Sequence, residues 1–431
     1  MSGEGSSAKN AHAGLLSYAE AAAVVTGFAR GLRPGAVESV ALASAQDRVL
    51  AKAIVADVDQ PAFPRSTRDG YACRAVEAAT HDFLPVAGAT HAGEAPPPPL
   101  PPKSMWEIMT GAPVGAGADA VVMVEHVERN GVQARLLPPR VAKAGENIVA
   151  RGEQARAGDE LVSAGTLLGP AQIALAAACG YANVDAYPRP RVAILTTGDE
   201  LVPVDAVPGP GQIRNSNGPM LETLVRAAGG DVCMCLTATD TAESLDFALT
   251  VAGEADLLLI SGGVSAGKFD LVEPALARIG AKFHFTGVRM QPGKPLVFGA
   301  LRASTLGADL AEEKVLPFFG LPGNPISSAA TFLLFAAPVI AALSGSDDLG
   351  PRFIAAELKQ GTDRRGNAGL TRFLPSWCEF DVAVGKLPQV ATVPWHGSGD
   401  LPAFARSNCF LVVPEGVASL EAGAQVSILM M

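Results

Sequence analysis

The sequence predicts a multidomain α/β plus β protein: a central, mostly parallel α/β domain, mixed N-terminal domains ahead of it and a C-terminal β-barrel. Three observations predict this. At 431 residues the chain has length for roughly three domains, each with its own core. From Arg191 onward, short apolar runs alternate with helix-period segments, the pattern of a parallel sheet covered on both faces. Beyond Pro351 the helical period gives way to alternating apolar residues with frequent Gly and Pro, as in a small barrel or sandwich.

Taken in order, residues 1–13 read as a flexible tail, with no charged-then-apolar leader pattern. Tyr18 to Leu32 has Ala22, Val25, Phe28 and Ala29 on one helical side and stops at Gly31 and Pro34. Glu38 to Asp59 gives short alternating segments, and Phe83–Val86, Trp106–Met109 and Ala120–Val124 read as strands. The proline tract Pro96–Pro102 must be extended, because proline fixes φ and lacks a donor; it is expected as a surface connection. Polar turns and short strands fill Gly145–Gly169, and a helix from Ala171 to Cys179 closes at Gly180. Segments 14–36 and 146–188 are expected to form one N-terminal domain, and 37–145 a second, mainly β one.

The α/β domain is expected over 189–345. Its strand-like runs are Val192–Thr196, Val232–Ala238, Asp256–Ile260, Lys282–Met290 and Val315–Phe319. Its helical runs are Gly218–Ala228, Thr241–Ala252, Phe269–Gly280 and Pro325–Leu343, and Arg302–Lys314 reads as a hairpin tip. The apolar window Ala329–Leu343 is about 15 residues with Pro338 inside it, short for a membrane span and expected as a buried helix. Ser344–Pro351 is the next boundary, and 350–431 the barrel.

Composition narrows the function. A formal net charge of −10 with no Lys/Arg cluster argues against a nucleic-acid partner, and any anionic substrate needs a local positive site. The cysteines at 73, 179, 233, 235, 378 and 409 form no CxxC, and Cys233 and Cys235 are expected on one face of a strand. The histidines show no zinc spacing. Cytoplasmic location and no membrane contact are the expectations.

Chemistry gathers at strand ends. In Asp256–Asp270 a buried strand runs into Ser261-Gly-Gly-Val-Ser-Ala-Gly267 and then a helix start, where free backbone N–H groups and the helix dipole favour an anion. A tight turn that merely saves space would read the same. Companion loops are Thr196-Thr-Gly-Asp-Glu200 and Gly320-Leu-Pro-Gly-Asn-Pro-Ile-Ser-Ser328, and Gln291-Pro-Gly-Lys-Pro295 brings Lys294 to the same side. Ligands of open α/β sheets bind outside the carboxyl ends of strands, so these loops should face one crevice. Pro325 suits a helix start, with Asn324 able to cap it. Asp199, Glu200, Asp240 and Asp270 add carboxylates, which beside phosphates make sense if Mg²⁺ bridges them; helix capping and loop solvation are the alternative. No Ser-His-Asp or Cys-His arrangement is visible.

Further segments extend the pattern: SerThrArgAspGlyTyrAla (66–72), ThrGlyAlaPro…GlyAlaAspAlaValValMet (110–123), GlyGluAsnIle…ArgGlyGlu (145–153) and IleArgAsnSerAsn (213–217). HisGlySerGly…SerAsnCysPheLeuValValPro (396–414) closes it. With ThrThrGlyAspGluLeu (196–201), SerGlyGlyValSer…Gly…Asp (261–270), GlnProGlyLysPro (291–295) and LeuProGlyAsnPro (321–325), they occur in order over nearly the whole chain. In them the sequence resembles the molybdopterin molybdenumtransferases, the MoeA family that includes the E domain of gephyrin.

The resemblance implies insertion of molybdate into adenylylated molybdopterin, with release of AMP, formation of molybdenum cofactor and help from Mg²⁺. It implies an elongated homodimer whose site is shared between subunits, and transient contact with the adenylyltransferase and with molybdoenzymes. Asp69, Thr110, Glu200 and Asp270 are then the catalytic candidates, with Asp69, Asp270 and Glu200 as metal ligands. Substrate binding falls to Thr197, Gly198, Asp199, Asn215, Ser261, Gly262, Gly263 and Ser265, with Lys294, Pro322, Gly323, Asn324 and Pro325. Arg372, Ser398 and Ser407 are the candidates for molybdate, a dianion that wants hydroxyls and a cation.

Several residues depart from the family pattern. Gln154 stands where many relatives are acidic, Arg68 where many have Met, and Lys268 and Glu273 look like a charge swap around Asp270. The adenylyltransferase shares the α/β domain and is the nearest rival reading, but the flanking regions favour the insertase. A non-catalytic, gephyrin-like scaffold is the rival from another class.

Overall fold

The computed structural model describes residues 15–263, 271–306, 314–362, 367–380, 383 and 385–431. The expected tail 1–13, Ser265, Lys268, Asp270 and most of the 302–314 hairpin tip lie outside the described residues.

A six-stranded sheet positions the site. Its order is Asp231–Ala238, Arg191–Thr197, Leu257–Ser261, Val315–Leu321, Val297–Arg302, Lys282–Thr286. The first four run parallel and the last two add antiparallel. Unbroken apolar runs such as Leu257–Ser261 are buried throughout because helices cover both faces. Asn217–Ala227, Pro325–Leu343 and the N-terminal Tyr18–Ala29 cover one face, around Ile194, Leu259 and Phe319. Ala242–Val251 and Val272–Arg278 cover the other, around Leu195, Leu258 and Phe318.

The Tyr18–Ala29 helix starts in a capping box: Glu20 N–H donates to Ser17 Oγ, and Ser17 N–H to the Glu20 carboxylate. Pro325–Leu343 is 19 residues with a mean hydropathy of 2.1, long and apolar enough to cross a membrane. It is a core helix here, with 78% of its most apolar window buried against the sheet, the first helix and the barrel. It widens into a π turn at Phe332–Ala336, just ahead of Pro338, which has no N–H to give the carbonyl of Leu334.

Three expectations need correction. Lys282–Met290 is not one strand: it breaks at Gly287, and Val288–Gln291 leaves to pair with the barrel strand Thr371–Glu379. Val297–Arg302, which the sequence reading passed over, is a full strand of the sheet. Cys233 and Cys235 do not share surroundings, because the pairing register shifts there: Cys235 packs toward the Asn217–Ala227 helix, and Cys233 lies near Arg191 and Asp256.

In the C-terminal region, Thr371–Glu379, Gln389–Thr392, Phe353–Leu358, Gln425–Met430 and Cys409–Val413 close on themselves as a barrel, since the first also pairs with the last. A short helix, Leu401–Ala405, interrupts it, capped by Asp400.

In the N-terminal region, Gly70–Cys73 sits between Ala120–Met123 and Met105–Ile108 in a second six-stranded sheet. The proline tract runs beside it as coil, pinned where buried Leu100 donates its N–H to the Ala116 carbonyl. Glu38–Ala41 pairs with Asn183–Ala186 and Ile54–Val55 with Glu160–Val162 around one small core. Segment 38–55 therefore packs with 160–186, across the boundary expected at 36/37.

Candidate functional site

Parallel pairing sets Thr196 beside Ser261 and Ser261 beside Leu321, so three strands end level and their loops open onto one cleft of about 1500 Å³. The loops are in near contact. Gly262 has φ +95°, and a Cβ there would lie 2.6 Å from the Thr197 carbonyl oxygen, so a side chain cannot be accommodated without displacing a neighbour.

Asn217, at the start of the Asn217–Ala227 helix, ties two loops together. Its Nδ2 donates to Ser261 Oγ at 2.9 Å and to the Gly323 carbonyl at 2.7 Å. The carbonyl partner can only accept, which fixes the amide orientation and leaves Oδ1 facing away. Asn217 Oδ1 and Thr197 Oγ1 are buried atoms with no partner among the described residues, an arrangement that a ligand's polar groups would complete.

Asn215, the substrate-binding candidate, is fully occupied instead. Its Nδ2 donates to Thr196 Oγ1 and Thr237 Oγ1, and its Oδ1 accepts from the Gly218 N–H. It lines the cleft as part of the frame. Its neighbour Asn217 was quoted in a motif but not selected, because only the helix start reveals which asparagine reaches across.

Pro325 sits in the first turn of its helix, as expected. Asn324 does not cap that helix with its side chain: its Nδ2 donates to Ser398 Oγ at 2.8 Å, and the Ser398 carbonyl accepts from Ile326 N–H at 3.0 Å. The barrel loop thereby supplies the missing acceptor and becomes a wall of the cleft. Thr197, Gly198, Gly263, Pro322, Gly323 and Lys294 also line it.

Of the ionisable groups, Glu200, Asp240, Arg214 and Lys294 line the cleft. Asp199 does not; its Oδ1 accepts from the Asp240 N–H at 2.9 Å. Burial, then the charge of Asp199, push the Asp240 carboxyl up, and Glu200 adds to this against the opposing hydrogen bond. Among the described residues no three His, Cys, Asp or Glu side chains form a ready-made metal cage. Carboxylates crowded at the rim of an anion cleft fit a cation that takes one or two of them and completes its shell with substrate oxygens.

Asp69 and Thr110 lie apart from this cleft within one chain. Thr110 donates to Asp69 Oδ1 twice, from its N–H at 2.6 Å and its hydroxyl at 2.8 Å. These bonds, the backbone one first, hold the Asp69 carboxyl below the usual range. The adjoining Gly70 is compulsory, since a Cβ would lie 1.9 Å from the Val122 carbonyl oxygen. Both Asp69 and Thr110 are exposed.

Arg372 and Ser407 do not line the cleft. Arg372 is 4% exposed and its guanidinium donates to the carbonyls of Ala418 and Val417, although its strand partner Gln291 is a cleft residue. Ser407 Oγ donates to the Ala403 carbonyl at the end of a short helix. Ser265 and Asp270 lie outside the described residues.

Residues 193–342 match the family described as a probable molybdopterin binding domain, so the cleft-bearing sheet is of the molybdopterin-binding class. Residues 16–180 match the MoeA N-terminal region (domain I and II), and 357–431 the MoeA C-terminal region (domain IV). A molybdopterin molybdenumtransferase of Haemophilus influenzae is 32% identical over 92% of this chain and 94% of its own. One from Nostoc is 33% identical over 91% and 88%. Crystal structures of molybdopterin biosynthesis MoeA proteins from Pyrococcus horikoshii align with TM-scores of 0.73 (30% identity, 96% of this chain and 99% of the other) and 0.79 (27%, 97% and 100%). The chain belongs to the MoeA family of molybdopterin molybdenumtransferases.

Proposed function

We propose that this protein inserts molybdate into adenylylated molybdopterin, releasing AMP and forming molybdenum cofactor. The observation that carries the reading is the convergence of three strand-end loops, two helix starts and Lys294 on a single cleft in the molybdopterin-binding sheet. A phosphorylated pterin is matched by backbone donors at Gly263 and Gly323, by the hydroxyls of Thr197 and Ser261, and by Lys294. Ser398 brings the barrel to the same wall, with Asn324 holding it.

Cleaving a phosphoanhydride needs charge neutralisation and positioning rather than a covalent nucleophile. Mg²⁺, when bound, supplies part of that neutralisation; Glu200, Asp240 and Asp69 would hold it, and Asp270 is the further ligand that the resemblance implies. Asp69, pre-oriented by Thr110, enters the cleft of a second copy, which makes the working enzyme a homodimer. Residues 189–345 and 350–431 are taken as its α/β and barrel domains, and the cytoplasm as its location. Transient contacts with the adenylyltransferase that supplies its substrate and with molybdoenzymes that take its product follow from that role.

The test is release of AMP from adenylylated molybdopterin on adding molybdate and Mg²⁺. No release would overturn the reading, and formation of the adenylyl adduct from ATP would replace it with the adenylyltransferase reading. Sedimentation of the purified chain as a monomer at assay concentration would remove the shared site.

A further inference from the structure

We propose that Arg214 is a second phosphate-holding cation of the cleft, and that it, with Lys294, sets the site's affinity for the phosphoryl part of the substrate. Of the residues lining the cleft, Arg214 and Lys294 are the cations, set against Glu200 and Asp240. In a chain of net charge −10, a phosphorylated ligand has no long-range attraction to draw on, so among the described residues these two supply the local positive charge it meets.

Arg214 is fixed at both ends. Its backbone is paired in the short strand Ile213–Arg214, where it lies opposite Val202. Its Nε donates to the Ala206 carbonyl at 2.9 Å, within the loop that links the two strands of that pair. This bond uses one edge of the guanidinium; among the described residues its terminal Nη groups have no protein partner. Three residues on, Asn217 opens a helix of 11 residues whose start faces the same cleft. A planar guanidinium held in place through its Nε edge is the geometry that grips a phosphate through two parallel hydrogen bonds, which a flexible ammonium does not reproduce. Sequence reading selected Lys294 because it stands in a glycine-proline turn; Arg214 is selected only by the loop that orients it.

The inference rests on the function proposed above and is tested so that the two fail separately. Binding of AMP, adenosine and molybdopterin to the full-length chain is measured by calorimetry for wild type, Arg214→Gln, Arg214→Lys and Lys294→Gln. The KM and kcat of AMP release and the melting temperature are measured alongside. Arg214→Gln is expected to weaken AMP or molybdopterin about 10- to 100-fold, the range for a charged hydrogen-bonding partner. Adenosine binding should stay unchanged, KM should rise and kcat should stay within about threefold. Loss confined to AMP identifies the adenylyl phosphate as the group held, and loss confined to molybdopterin the pterin phosphate. Arg214→Lys keeps the charge but loses the Nε bond to Ala206, so partial recovery supports charge and the fork together. Arg214→Gln binding both phosphates as tightly as wild type overturns the inference while leaving the enzyme's activity in place. Equal losses in the Gln and Lys variants with a matching fall in melting temperature would reduce Arg214 to a brace of its loop, and overturn it too. A wild type that binds neither phosphate defeats the proposed function itself.

Discussion

The cleft and the Asp69–Thr110 pair handle charge in opposite ways. Among the described residues of the cleft, neutral groups dominate: glycine backbone, Thr197 and Ser261 hydroxyls and three asparagines, with two cations and two carboxylates. At Asp69 a single ionised carboxylate stands on an exposed surface, held in one orientation by two bonds from one residue. A surface built of donors binds an anion tightly and does little else. A pre-oriented, unprotonated carboxylate is a poor general base and a good director of a cation or of water. Binding and chemistry are therefore expected to separate on mutation.

The largest effect tests that separation. Asp69→Asn keeps the shape and the contact with Thr110 but removes the charge. Turnover measured as AMP release should fall about 100- to 1000-fold, the scale for losing one charge-stabilising group, while AMP affinity stays within about twofold. Parallel losses in both would merge the two regions into one binding surface. Because Thr110 lowers the Asp69 pKa, the charge persists as pH falls through the ordinary carboxylate range and is lost only below it. An acid limb of the kcat profile at ordinary or higher pH must then come from another group.

Gly262→Ala should do the reverse. The new methyl at φ +95° meets the Thr197 carbonyl, and the loop must shift. A destabilisation of about 1–3 kcal/mol is expected from the backbone conformation and displacement. AMP affinity should drop about 10-fold or more through the displaced loop. Melting and calorimetry on one preparation check both, and unchanged affinity would show that the Gly262 loop is not in contact with ligand.

How legible these regions were differs for a physical reason. The strand-end loops announce themselves locally: apolar run, glycines, helix start, each visible within a dozen residues. Even so, Lys282–Met290 looked like one strand, because nothing local says that Val288–Gln291 pairs with the barrel rather than the sheet. Val297–Arg302 was missed beside it although its two partners, Lys282–Thr286 and Val315–Leu321, flank it in the chain, because Gly299 interrupts a short apolar run. The barrel's wall of the cleft was visible only as Ser398 in a motif; that Asn324 reaches it instead of capping its own helix is a tertiary fact. For Asp69 and Thr110 the motifs alone paired two residues 41 apart in sequence, but not the hydrogen bonds that join them.

Two of the asparagines sharpen the comparison within the cleft itself. Asn217→Ala removes both ties between the Ser261 and Gly323 loops at a partly exposed site. AMP affinity should fall about 5- to 20-fold with little change in melting. Asn215→Ala strands Thr196, Thr237 and Gly218 partners at a buried site and should destabilise by about 1–3 kcal/mol instead. If the two variants behave alike, the division between frame and ligand contact at this helix start is wrong.

Asp240 gives the smallest effect and the opposite sign from Asp69. Burial and the neighbouring charge of Asp199 raise its carboxyl, so the folded protein holds that proton more tightly than the unfolded chain does. Stability then rises as pH falls from above the raised value toward the ordinary one, and the ionised form at neutral pH is a small burden on the fold. Asp240→Asn should accordingly leave the melting temperature unchanged or raise it by about a degree or two at pH 7, and flatten its rise on mild acidification. A carboxylate kept at such a site is accounted for if a cation shares it during turnover. The same variant should therefore need several-fold more Mg²⁺ for half-maximal AMP release, and protons should compete with Mg²⁺ in wild type but less in the variant. A lower melting temperature with unaltered Mg²⁺ dependence would assign Asp240 to the loop's own hydrogen bonding and leave Glu200 as the carboxylate that meets the ion.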